Sequence, residues 1–203
     1  MDHSALFKRH GRSATTIATL VVLMSAGPAF AHTGGDVIFG FWSGFLHPIT
    51  GLDHLVAMVA VGLWGAQLGN PAIWVLPITF PLVMALGGVL GISGVVIPYP
   101  EVVIAASAIA LGLAVAFRIT PPLWIAAVLV GVFAIFHGYA HGMELPGAAD
   151  PVGFGVGFVT ATGLLHLCGI AIGTLTRWPI GGRVVQACGA AIGCVGVFFL
   201  YSL

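Results

Sequence analysis

Between Asp53 and Glu101 the chain carries no Asp, Glu, Lys or Arg. The same holds between Glu101 and Arg118, between Arg118 and Glu144, between Asp150 and Arg177, and after Arg183. Apolar runs this long and this free of charge leave few folds open. Crossing the ~30 Å hydrocarbon core of a bilayer takes about 20 helical residues, and a helix satisfies its own backbone where lipid offers no partners. The whole chain is 59% hydrophobic and 6% charged, against roughly 25% charged in ordinary soluble domains. These features predict an all-α, polytopic transmembrane helical bundle.

The N-terminus has a basic region through Lys8, Arg9 and Arg12, an apolar core from Ala14 to Met24, and then Ala29-Phe30-Ala31, a small-x-small cleavage signature. We read residues 1–31 as a cleavable signal peptide. An uncleaved first helix is the alternative, but the apolar core is short and ends in Gly27-Pro28. Residues 32–203 are then expected to form one six-span membrane domain. The first span, Asp36 to Leu68, is expected to be broken at His47–Gly51, where Pro48 and Gly51 disturb a regular helix. The others run Ala72 to Ile92, Val102 to Phe117, Leu123 to Leu145, Val152 to Leu175 and Arg183 to Leu203. With His32 outside, Arg118, Arg177 and Arg183 lie in or beside cytoplasmic loops, as the positive-inside rule requires. Asp36, Glu101, Glu144 and Asp150 fall on the outer side. The expected location is a bacterial inner membrane, crossed several times, with the mature N-terminus in the periplasm.

Several classes drop out. Zero formal net charge and so few basic side chains leave no surface for nucleic acid. No GxxxxGK[ST] loop is present, which argues against an ATP-driven pump on this chain. Cys168, Cys188 and Cys194 lie in apolar runs and read as small core residues. The 30 glycines read as close helix packing. No sequence repeat is evident, although an inverted three-plus-three arrangement of spans is compatible with the pattern.

What remains are ionisable groups inside the apolar runs. Such groups are expensive in a membrane and mark sites of function. His137, His141 and Glu144 are spaced four and three apart, on one face of a helix. His47 and His54 stand two turns apart in the broken element, with Asp53 beside them. His166 lies well inside the fifth span. Imidazole suits borderline ions such as nickel, cobalt and zinc, and carboxylates add charge that helps displace the hydration shell. Asp53 has a second reading, as a partner fixing an imidazole tautomer, and His166 a second reading as a hydrogen-bonded packing residue. If cleavage follows Ala31, the α-amine and imidazole of His32 make a compact chelate near an acidic entrance formed by Asp36 and Glu144.

At these residues the sequence resembles the HupE/UreJ family of membrane proteins, associated with hydrogenase and urease gene clusters. The HX5DH pattern matches His47, Asp53 and His54, and the FHGxAHGxE pattern matches Phe136, His137, Gly138, Ala140, His141, Gly142 and Glu144. The resemblance implies a secondary permease importing Ni2+, or Co2+, from periplasm to cytoplasm, linked indirectly to hydrogenase or urease maturation. The metal would be transported substrate, with no permanent cofactor, and the ion and the lipid bilayer are the partners expected, with a homo-oligomer left open. The expected metal residues are His47, Asp53, His54, His137, His141, Glu144 and His166, with His32 and Asp36 at the entrance. A transporter, not an enzyme, is expected. Competing readings are a membrane metalloenzyme, a haem protein with axial histidines, and a structural subunit. The enzyme reading is weakened because Gly138 stands where HExxH places its catalytic Glu.

Overall fold

The structure, a computed structural model, describes residues 40–144 and 151–203, and these are entirely helical apart from the connections. The signal-peptide expectation, His32, Asp36 and Asp150 lie outside them. Seven α-helices follow in order: α1 Phe41–Thr50, α2 Leu52–Leu68, α3 Ala72–Ile92, α4 Pro100–Ala116, α5 Leu123–Glu144, α6 Pro151–Gly173 and α7 Pro179–Ser202, with a 3-10 turn at Thr174–Arg177 before α7.

The break expected in the first element is present. α1 runs through Pro48 and ends at Gly51, whose extended backbone (φ −77°, ψ 104°) turns the chain by 80° into α2. The carbonyl groups orphaned at this end find local donors. Gly51 N–H bonds the His47 carbonyl at 2.9 Å, and the Thr50 hydroxyl donates to Leu46 at 3.0 Å and His47 at 3.3 Å. There is little room for a side chain at Gly51, because a β-carbon there would stand 3.2 Å from the Asp53 carboxylate.

Helix α2 is the centre of the bundle. It is apolar on every side, as a helix enclosed by others should be, and the run Ala60 to Gly65 is wholly buried. Around it, α3 packs chiefly on α5, α4 on α7, and α6 on both α2 and α1. Glycines set these distances. Any side chain at Gly138 or Gly142 of α5 would strike the α3 backbone at Met84 or Gly88, and one at Gly62 would strike the α6 backbone at His166. Such close approach is how small residues bind helices together in lipid, where apolar burial between helices gains little. The contacts also give direction. α3 with α5 and α2 with α6 run parallel, whereas Gly112 against Gly193 and Gly196 against Ile109 make α4 and α7 antiparallel. Exchanging α2–α4 with α5–α7 carries these three principal pairings onto one another, the relation expected of an inverted three-plus-three arrangement.

By length and composition, α3, α5, the α6 segment to Arg177, and α7 are each able to cross a membrane, and α1 with α2 passes as one bent element. This is a multi-pass membrane protein. α4 is 17 residues long, about 26 Å at 1.5 Å per residue, so four or five crossings follow from length and apolarity, against the six expected. Its C-terminal carbonyls are held by side chains of its neighbours. Gln67 donates to Val115 at 3.0 Å, Gln186 to Ala116 at 2.9 Å, and Trp64 to Ile119 at 2.9 Å.

The cysteines correct one expectation. All three are free thiols, but Cys168 and Cys194 face outward from the bundle, and only Cys188 is half-buried. An apolar run in a membrane helix fixes depth and leaves its outward face as apolar as its inward one, so apolarity alone does not locate the core.

Candidate metal centre

The 80° turn at Gly51 brings His47, at the end of α1, back over His54, in the first turn of α2. α5 approaches the same place with its last two turns, carrying His137, His141 and Glu144. Four imidazoles thus converge from three helices. Ring centroids lie 4.3 Å apart for His54 and His141, 4.7 Å for His47 and His141, and 4.9 Å for His54 and His137.

The nitrogen atoms are more informative than the rings. The Nε2 atoms of His54 and His141 face one another at 2.5 Å. Behind His54, its Nδ1 lies 3.1 Å from the Asp53 carboxylate. That contact holds the proton on Nδ1 and turns the lone pair of Nε2 inward, a common device for orienting a metal-binding histidine. His137 is arranged in the same sense: Nδ1–H donates to the Phe133 carbonyl at 2.9 Å, and Nε2 is left buried without a hydrogen bond. His47 Nε2 and His141 Nδ1 lie 3.9 and 3.7 Å from a Glu144 carboxylate oxygen. Ligand atoms of His47, His141 and Glu144 all fall within 4.8 Å of one another.

Exposure falls steadily along this set. The Glu144 side chain is 60% exposed and that of His47 35%, whereas His141, His54 and His137 are 8%, 4% and 0% exposed as residues. The set is thus graded, from an exposed carboxylate at what we call the mouth of a funnel to buried imidazoles at its throat.

Of the expected ligands, the structure brings together His47, His54, His137, His141 and Glu144. Asp53 stands behind His54, in the tautomer-fixing position. His166 lies apart, with the Phe80 ring between it and His137 at centroid distances of 5.7 and 5.4 Å. Aromatic side chains that motif reading passed over line the funnel. Phe158 lies 4.6 Å from the His141 ring and Phe154 5.8 Å from that of His47. The signal for them was available: Phe154, Phe158, Thr162 and His166 recur every fourth residue, which places them along one face of α6.

The Asp53 arrangement gives a direct test. Replacing Asp53 by Asn removes the charge that holds the His54 proton on Nδ1. Second-layer changes of this kind weaken metal binding by roughly 10–100-fold. Calorimetric titration of purified D53N protein with Ni2+ should show that loss with the stoichiometry unchanged; an unaltered affinity would assign the carboxylate a purely local role.

Fold and site together define a multi-pass helical membrane protein with a funnel of imidazole and carboxylate groups, a donor set suited to borderline divalent metals. The chain belongs to the HupE/UreJ family: the family profile described as HupE / UreJ protein matches residues 20–199. It is 41% identical to Protein HupE of Rhizobium leguminosarum bv. viciae over 193 residues, which cover 95% of this chain and 98% of that relative. No solved structure matches it.

Proposed function

We propose that the protein is a secondary permease that admits Ni2+, with Co2+ the nearest competing ion, from the periplasm to the cytoplasm through the funnel. The observation that carries this reading is the convergence of His47, His54, His137 and His141 from three helices, with the Nε2 atoms of His54 and His141 paired to one another and that of His137 unpaired, all of them buried. Each such group is costly in a membrane, and a shared ion is a common reason for all of them. Nickel is what the family likeness implies, and the donor set suits it.

The charges support the direction. Glu101 begins α4 and Glu144 ends α5, at the funnel's end of the bundle. Arg118 follows α4 and lies against Gly182 at the start of α7, at the opposite end. With that arginine end in the cytoplasm, the funnel opens to the periplasm, α1 with α2 counts as one crossing, and α4 completes six. The mature chain then starts outside, after removal of residues 1–31.

Uptake of radioactive nickel decides the matter. Cells lacking other nickel uptake should accumulate the ion in a saturable manner when they make this protein, with Co2+ competing better than Zn2+. Accumulation no higher than in cells without the protein would end the permease reading.

A further inference from the structure

Past His137 the structure holds a second set of buried polar atoms that the funnel does not use. Thr162 and His166 are one turn apart on α6, and they are 0% and 1% exposed. Neither ring nitrogen of His166 makes a hydrogen bond, and neither does the Thr162 hydroxyl. For Thr162 this is unusual, because helical hydroxyls ordinarily return to the carbonyl one turn back. Thr160 does so, donating to Val156 at 2.7 Å, and Ser93 donates to Val89 at 2.6 Å.

Helix α3 supplies a third group, a carbonyl that lacks its usual helical donor. In a helix the Pro77 carbonyl would accept from the N–H of residue 81, but residue 81 is proline and has none. That carbonyl lies beside the His166 ring, close enough to act on it as a hydrogen-bond acceptor, although neither ring nitrogen reaches full hydrogen-bond geometry. Buried polar groups are almost always paired, so two unpaired side chains on α6, beside an α3 carbonyl without its helical donor, call for a ligand. Depth separates them from the funnel. The His166 backbone packs against Gly62, eight residues beyond His54 on α2, or about 12 Å along its axis.

We propose that Thr162, His166 and the Pro77 carbonyl form an inner station for the same divalent transition-metal ion, reached from the funnel by passing the Phe80 ring. This inference rests on the permease reading and deepens it. The donor set fits a transient stop: one imidazole and two neutral oxygens hold a borderline ion less firmly than several imidazoles with a carboxylate. An ion that has left the funnel is therefore caught without being trapped. Phe80, fully buried and in contact with both His137 and His166, must rotate aside for that transfer, so the two stations are not open to each other at rest.

The test separates binding from passage. Full-length protein is reconstituted in liposomes for Ni2+ flux, and equilibrium Ni2+ binding is measured on the same preparations in detergent. Thr162→Val removes the hydroxyl at nearly constant shape, His166→Gln removes the imidazole, and Pro81→Ala returns an N–H to the Pro77 carbonyl. Each is expected to lower flux by more than ten-fold while changing funnel binding by less than two-fold. Pro81→Ala should also raise the melting temperature, since it restores a helical hydrogen bond; loss of flux in a more stable protein is not what a packing role produces. Flux within two-fold of the unaltered protein in both Thr162→Val and Pro81→Ala, while His54→Ala abolishes it, overturns the inner station and leaves the permease intact. Loss of flux accompanied by equal loss of funnel binding overturns it also. No Ni2+ flux in the unaltered protein overturns both readings.

Discussion

Truncating His54 or His141 to alanine is expected to abolish nickel accumulation, and truncating both to cost no more than truncating one. The expectation follows from the 2.5 Å approach of their Nε2 atoms across the interface of α2 and α5. Residues that serve one ion together are not independent, and their losses do not add. Changes one layer out from a metal weaken binding by roughly 10–100-fold; loss of a direct ligand is expected to exceed the upper end of that range, leaving uptake at the level of cells without the protein. The double variant, already empty, has nothing further to lose. Binding of Ni2+ to each purified variant, measured at matched expression, completes the cycle. Two results would sink the shared-ion argument: single variants within three-fold of normal, or a double variant whose loss is the product of the single ones.

The FHGxAHGxE stretch could be read correctly without coordinates because a helix has a fixed period: His137, His141 and Glu144 had to share a face. The kink at Gly51 was equally legible, since a proline and a glycine together in an apolar run leave little else. Spacing within a helix does not say which neighbour that face meets. The adjacency of Asp53 and His54 could not show that the carboxylate stands behind the imidazole, and His166 gave no hint that Phe80 separates it from His137. The aromatic side of the funnel was written in the four-residue recurrence from Phe154 to His166, but a repeat of Phe and His in an apolar helix reads as packing until α1 and α5 are placed against it. The bounds of α4 were legible, Val102 to Phe117 expected against Pro100–Ala116 found. What no local signal announced are the tertiary bonds from Trp64, Gln67 and Gln186 to carbonyls at and just past its C-terminus.

Replacing Gly138 by valine is expected to be the most damaging single change outside the ligands. A β-carbon at Gly138 would occupy the position of the Met84 carbonyl of α3, and the next atoms in reach are also backbone. Backbone cannot rotate away as a side chain can, so α3 and α5 must separate. Overpacking a tight site costs typically 1–3 kcal/mol and at times more, and a rigid backbone obstacle puts this case at about 3 kcal/mol or above. For a chain of this size that corresponds to a fall of roughly 10 °C in melting temperature. Gly163 on α6 is the matched control. Nothing lies within 4 Å of a β-carbon there, so Gly163→Ala should be neutral or slightly stabilising through helix propensity. Thermal unfolding of the two purified variants distinguishes them, and a Gly138→Val protein melting within 2 °C of the unaltered one would refute the packing argument. The consequence reaches the funnel, because Gly138 lies between His137 and His141 in sequence and sets how closely α5 sits on α3. The glycine thus acts on the histidine cluster without belonging to it: it fixes the helix spacing that aims His137 and His141 at His54.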